Sequence, residues 1–311
     1  MTIHVRIKST VILLGLITLL VVGCGGMQDL SNLTSTQLYE LGVKQFEKND
    51  YRKSIQTFQA LVYNNPGASI VDTAQYYLAL SYFNNEDYEL AAVEFNRLVL
   101  NYPSSPFFEA AMFHRAVSEF EATPENHGLD QSELPDAIKK LEDFIIDYPE
   151  SAYLAQAQHY LEQARNRLAH KAYTAAKTYH HMGAYEAAIT YYQIVLDEYT
   201  NSPWAADAAY HQGEMYSKRR MYDSAHVKFE QFISVFPTHE KVDDARKKLI
   251  ETAFKDAEQA YEQGELAEAV EKFNAFIADY PDSDKTASAR SYLEKIGPLP
   301  QSEAMAKDGD S

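Results

Sequence analysis

The sequence predicts an all-α fold: a tandem solenoid of about six helix pairs, two of which have an elongated first helix. Three observations carry that reading. One set of residue types returns at intervals close to the length of a helical hairpin. Twelve Gly and eleven Pro in 311 residues leave few helix breakers. Two long stretches, Tyr153 to His181 and Lys241 to Gln263, contain neither residue. An apolar share of 46% is enough to bury a core.

The chain opens on a different element. Arg6 and Lys8 precede an uncharged apolar run from Val11 to Val22, and Gly23-Cys24 follows at once. A basic segment, a short apolar segment and a small residue before the cut make residues 1–23 a secretory signal. The run gives a helix of about 18 Å, short of a hydrocarbon core of about 30 Å. Cys24 is the only cysteine, so the chain has no intramolecular disulfide. Its place at the end of the apolar run makes it a lipobox cysteine, lipidated as the first residue of the mature chain, and residues 24–35 form a lipidated tether. A net charge of −17 repels anionic lipid, so acyl chains must do the anchoring. Gly25 and Gly26, with no Asp at the sorting position, favour the outer membrane.

The repeats follow. Aromatic or polar residues precede helix-closing anchors at Pro66, Pro103, Pro149, Pro237 and Pro281, and Thr200 takes the place of a sixth proline. Eight residues before each anchor stands a large side chain: Phe58, Phe95, Leu141, Tyr192, Phe229, Phe273. Four earlier stands a small one: Ser54, Ala91, Ala137, Ala188, Ala225, Ala269. Tyr51, Tyr88, Leu134, Tyr185, Tyr222 and Leu266 come three before that. This is the tetratricopeptide pattern, in which small residues let paired helices approach and bulky ones fill the space between hairpins.

Anchor spacings of 37, 46, 51, 37 and 44 residues locate the irregularities. Extra segments close to whole turns lengthen a helix without rotating its apolar stripe. The first helices of repeats four and six are therefore expected to be long, about 40 Å and about 35 Å. The insertion in repeat three carries Thr123-Pro124-Glu125-Asn126-His127-Gly128, which is turn chemistry, and predicts a loop at about 122–135. The expected organisation is an N-terminal half over 36–151 with repeats one to three, and a C-terminal half over 152–297 with repeats four to six and a capping helix. A disordered tail over 298–311 completes it.

First helices of such hairpins line the concave face. The positions predicted to face a groove are Tyr39, Val43 and Phe46 in repeat one, Tyr76, Leu80 and Phe83 in repeat two, and Phe113, Val117 and Phe120 in repeat three. That trough is apolar and aromatic and suits an extended peptide with aromatic anchors. Packing of neighbouring helices is the competing use of the same residues. The matching positions of repeats four and five, Tyr173, Lys177, His180, Tyr210, Glu214 and Ser217, are mostly polar.

With a lipobox, about six repeats, junctions such as Asn101-Tyr102-Pro103-Ser104-Ser105 and Asp147-Tyr148-Pro149-Glu150-Ser151, an insertion with Leu129-Asp130-Gln131, and Tyr179-His180-His181-Met182-Gly183-Ala184-Tyr185, the chain resembles the BamD (YfiO/ComL) family. These are tetratricopeptide lipoproteins of the outer-membrane β-barrel assembly machine. The resemblance implies a lipid-anchored protein on the periplasmic face of the outer membrane. It also implies that the N-terminal groove receives targeting peptides of unfolded outer-membrane protein clients and that the C-terminal repeats dock periplasmic domains of the β-barrel assembly subunit. Two departures stand out: a sixth unit over 250–281, where many members have five, and Thr200 in place of Pro.

Other classes find little support. A net charge of −17 without a basic run argues against nucleic acid. No catalytic motif or phosphate loop is present, so no enzyme and no cofactor is expected. His170, His180 and His181 share a helix, but spacings of ten and eleven residues are too long for one metal ion. The remaining alternatives are a tetratricopeptide scaffold for cell division or peptidoglycan synthesis, and a glycan-binding uptake lipoprotein.

Overall fold

The computed structural model describes residues 30–126 and 128–298; the signal sequence, Cys24, most of the tether and the tail from 299 lie outside them. The described residues form thirteen helices and no strand. In chain order these are α1 (Ser35–Glu47), α2 (Tyr51–Asn64), α3 (Val71–Asn84), α4 (Tyr88–Asn101), α5 (Phe108–Ala122), α6 (Leu134–Asp147) and α7 (Leu154–His181), followed by α8 (Tyr185–Glu198), α9 (Ala205–Lys218), α10 (Tyr222–Val235), α11 (Val242–Gln263), α12 (Leu266–Asp279) and α13 (Thr286–Ile296). They make a tetratricopeptide α-solenoid of six helix pairs closed by α13. The two elongated helices are α7, with 28 residues, and α11, with 22, in the stretches free of Gly and Pro. None of the described helices is long and apolar enough to cross a membrane. The chain forms two compact units, the first ending at Arg115 and the second beginning at Ala116.

The hairpin turns explain why the pairs form. One residue with positive φ reverses the chain in five of the six: Asn49, Glu86, Gly183, Arg220 and Gly264. The next N–H then donates back to a carbonyl in the last turn of the first helix: Asp50 to Gln45, Asp87 to Tyr82, Ala184 to Tyr179, Met221 to Tyr216 and Glu265 to Ala260. These bonds satisfy carbonyls that a helix end otherwise leaves open. In the remaining hairpin, that of repeat three, the insertion takes over, held by Gln131, whose Nε2 donates to the carbonyls of Pro124 at 2.8 Å and Asn126 at 3.2 Å. At the start of the first unit, Thr34 and Gln37 form a reciprocal capping box on α1.

The second helix of each pair carries the repeat-pattern residues of the core. All twelve pattern residues, from Ser54 and Phe58 to Ala269 and Phe273, are fully buried. In two of the pairs the first helix meets the buried ring with a glycine. A Cβ added at Gly42 would lie 2.7 Å from the Phe58 ring, and one at Gly213 would lie 2.9 Å from the Phe229 ring. Small residues thus set how closely each pair approaches, and the rings fill what remains.

Candidate functional site

In the first unit, the exposed face of α1 and α3 carries a strip of aromatic and aliphatic side chains. Phe46 meets Tyr77 edge-on at 5.6 Å between ring centroids and Tyr51 at 5.5 Å. Tyr77 stacks on the buried Phe58 ring at 5.7 Å, and Tyr39 approaches it at 6.1 Å. Further along, Phe83 meets Tyr88 at 5.3 Å and His114 at 5.8 Å. Tyr39, Val43, Phe46, Leu80 and Phe83 are each only partly buried. Neighbouring rings, with the buried Phe58 beneath Tyr77, therefore support them while one side stays open, which is the geometry of an anchor for an apolar side chain.

The other four predicted groove residues lie elsewhere, and this corrects the trough drawn from the repeat register. Tyr76 is 7% exposed, Phe113 and Val117 1% each, and Phe120 0%. Tyr76 stacks on Phe107 at 4.5 Å with its edge toward Phe95. In the second unit, Phe120 is covered by Tyr160 at 5.5 Å and by the Arg167 guanidinium 4.0 Å above its ring. These side chains pack helices together, and a ligand cannot reach them while the helices stay in place. Tyr77 is the residue that the register missed. The adjacent Tyr76 and Tyr77 differ by about 100° around α3, and a 37-residue period aligns repeats without saying which tyrosine stays accessible.

The first unit also packs ionisable groups among its helices. His114 stacks on Phe95 at 5.3 Å, and burial pulls its pKa down to about 4, so the ring is neutral at ordinary pH. Glu94 is buried on α4 and accepts from Tyr63 at 2.7 Å and from Gln75 at 2.7 Å, with Arg97 at 3.2 Å. Burial, followed by the bond to Glu94, pushes the Tyr63 phenol up to about 12.

In the second unit the corresponding face is a closed polar network. Glu214 receives a hydrogen bond from His211 at 2.8 Å and an ion pair from Lys248 at 3.1 Å. Burial alone would raise its carboxyl, but the bonds from His211 and Lys248 outweigh that and hold it at about 2. Tyr210 donates to Asp244, and Lys241 pairs with Asp207. Burial and the Asp244 bond both push the Tyr210 phenol far up. Tyr173 stacks against Trp204 at 5.4 Å, and burial raises it to about 12. His170 stacks on Trp204 at 4.2 Å, whereas His180 and His181 stack on each other. No group of three metal-ligating side chains occurs among the described residues.

Residues 31–221 and 198–303 match the profile of the YfiO family, described as an outer membrane lipoprotein. No curated protein is significantly similar in sequence. Among solved structures, the chain is similar to the TPR2AB domain of yeast Sti1 in complex with a pHSP90, at 13% identity, covering 84% of this chain and 96% of that one with a TM-score of 0.37. It is similar to the TPR domain of P58(IPK) at 17% identity, covering 88% of this chain and 68% of that one with a TM-score of 0.35. A third is MamA of Desulfovibrio magneticus, at 13% identity, covering 66% and 97% with a TM-score of 0.33.

Proposed function

The chain belongs to the YfiO family of outer membrane lipoproteins, and on that premise we propose that it is a scaffold for assembling and inserting β-barrel outer-membrane proteins. Its mature N-terminus is Cys24, whose acyl chains hold it to the periplasmic face of the outer membrane. The strip formed by Tyr39, Val43, Phe46, Leu80 and Phe83 receives targeting peptides of unfolded barrel clients, and the C-terminal repeats dock periplasmic domains of the barrel-assembly subunit. It acts by binding and carries out no reaction.

The observation that supports peptide binding is the open side of the aromatic strip, whose rings pack on one another and on the buried Phe58. Aromatic surface in contact with water costs free energy that a peptide side chain can recover. The test uses the full chain carrying Cys24→Ala and a peptide ending in an aromatic residue. Phe46→Ala with Phe83→Ala is expected to weaken binding by about tenfold or more, while helix content stays that of the parent. Unchanged affinity in the folded double variant would remove the strip from the reading.

A further inference from the structure

The fifth repeat departs from the others around one cavity of the second unit. This space, about 410 Å³, lies among α8, α9 and α10, with Phe232 and Leu196 in its wall and the exposed Val235 at its rim. Small-molecule sites span about 300–1,000 Å³, so the volume is that of a ligand site.

Two residues open it. Five positions after the anchor, the other repeats carry Val71, Phe108, Leu154, Val242 and Thr286, whereas this one carries Ala205. Nine positions after the anchor they carry Gln75, Met112, Gln158, Arg246 and Arg290, and here stands Ala209. Both alanines line the cavity. So does Thr200, which brings an amide N–H that the five anchor prolines lack.

The charge pattern departs at the same place. One residue before the large core side chain stand Thr57, Glu94, Lys140, Tyr191, Lys228 and Lys272. Five of these have a partner within the chain. Thr57 donates to Gln45, Glu94 accepts from Gln75, Lys140 pairs with Glu119, Tyr191 stacks on Tyr179, and Lys272 pairs with Asp256 at 2.7 Å. Lys228 has neither an ion pair nor a hydrogen bond among the described residues, and it lines the cavity. Counted back from the following anchor, as Lys228 and Lys272 are, the position equivalent to Asp256 is Gln212, a neutral residue also in the cavity wall. Gln212 is fully buried, and its Oε1 has no hydrogen-bond partner. No Asp or Glu lines the cavity, in a chain with 45 of them.

We propose that this cavity binds an apolar carboxylate. Its apolar end fills the space left by Ala205 and Ala209, and its carboxylate stands beside Lys228 as Asp256 stands beside Lys272. A free fatty acid and the apolar C-terminal residue of a peptide share that chemistry. The site is separate from the aromatic strip of the first unit and does not depend on it.

The test titrates octanoate into the full chain carrying Cys24→Ala, so that the protein's own acyl chains cannot compete. Saturable binding is expected, with octanol about tenfold or more weaker because it lacks the charge. Lys228→Met should erase the difference between the two probes. Ala209→Met, which installs the residue of repeat three, should remove binding while the melting temperature holds. If that variant melts early, Ala205→Val makes the same test with the residue of repeats two and six. A peptide with a free C-terminal leucine is run beside its C-terminal amide. Binding of the free peptide but not the amide assigns the site to chain termini, and binding of octanoate alone assigns it to free acids. The proposal fails if neither octanoate nor the free peptide binds, if octanol binds as well as octanoate, or if folded Ala209→Met binds like the parent.

Discussion

The two units offer the same helix face in different chemistry. On the first unit, Tyr39, Phe46 and Phe83 lean on neighbouring rings and leave one side open; on the second, Tyr210, Glu214, Asp207 and Asp244 already have partners in His211, Lys241 and Lys248. An apolar face gains free energy when something covers it, whereas a network whose donors and acceptors are matched gains little from a new partner and loses bonds if disturbed. One repeat pattern thus supports both a receiving face and a stiffening face, and the difference lies in first-helix positions that the pattern leaves free.

The contrast can be broken most sharply in stability. Phe95→Ala in the first unit and Phe229→Ala in the second each remove a fully buried ring and should each cost about 3–5 kcal/mol. Phe46→Ala and Phe83→Ala should cost less than half as much. Equal losses in all four, measured by chemical denaturation, would make the strip ordinary core.

The repeat architecture was legible because its signals are local and periodic. Ser54 to Ala269 and Phe58 to Phe273 fall at fixed distances from the anchors, and all of them are buried as the pattern requires. Helices α7 and α11 were legible because nothing in them can break a helix. The strip was only half legible. Whether Phe120 faces outward depends on Tyr160 and Arg167, which arrive 40 and 47 residues later on the elongated α7, and no period encodes that cover. The cavity at Ala205 and Ala209 was written in the sequence, but alanines read as ordinary helix residues until their neighbours are in place.

Electrostatics sharpen the comparison on a smaller scale. Glu214→Gln should cost about 1–3 kcal/mol at neutral pH, because it strips a half-buried, hydrogen-bonded charge from His211 and Lys248. The folded-state pKa of Glu214 is depressed, so its contribution is complete above the ordinary carboxylate range and fades as pH falls toward about 2. Urea titrations below pH 5 should therefore show the parent losing stability faster than the variant.

A smaller effect belongs to the first unit. His114 is depressed to about 4, so its neutral form stabilises the fold above its unfolded pKa of about 6.5, and that contribution is lost as pH falls through about 4. His114→Phe keeps a ring against Phe95 and should flatten the stability profile between those values. A profile unchanged by the substitution would show that burial of this ring carries no such penalty.

The division of labour itself is tested most directly by cross-linking. A photo-reactive residue is placed at Phe46 on the first unit's strip, or at the exposed Lys177 on the corresponding face of the second unit. Each chain is then illuminated with an unfolded barrel protein as client. A receiving strip gives adducts at Phe46 and few at Lys177; adducts at Lys177 with none at Phe46 would contradict it.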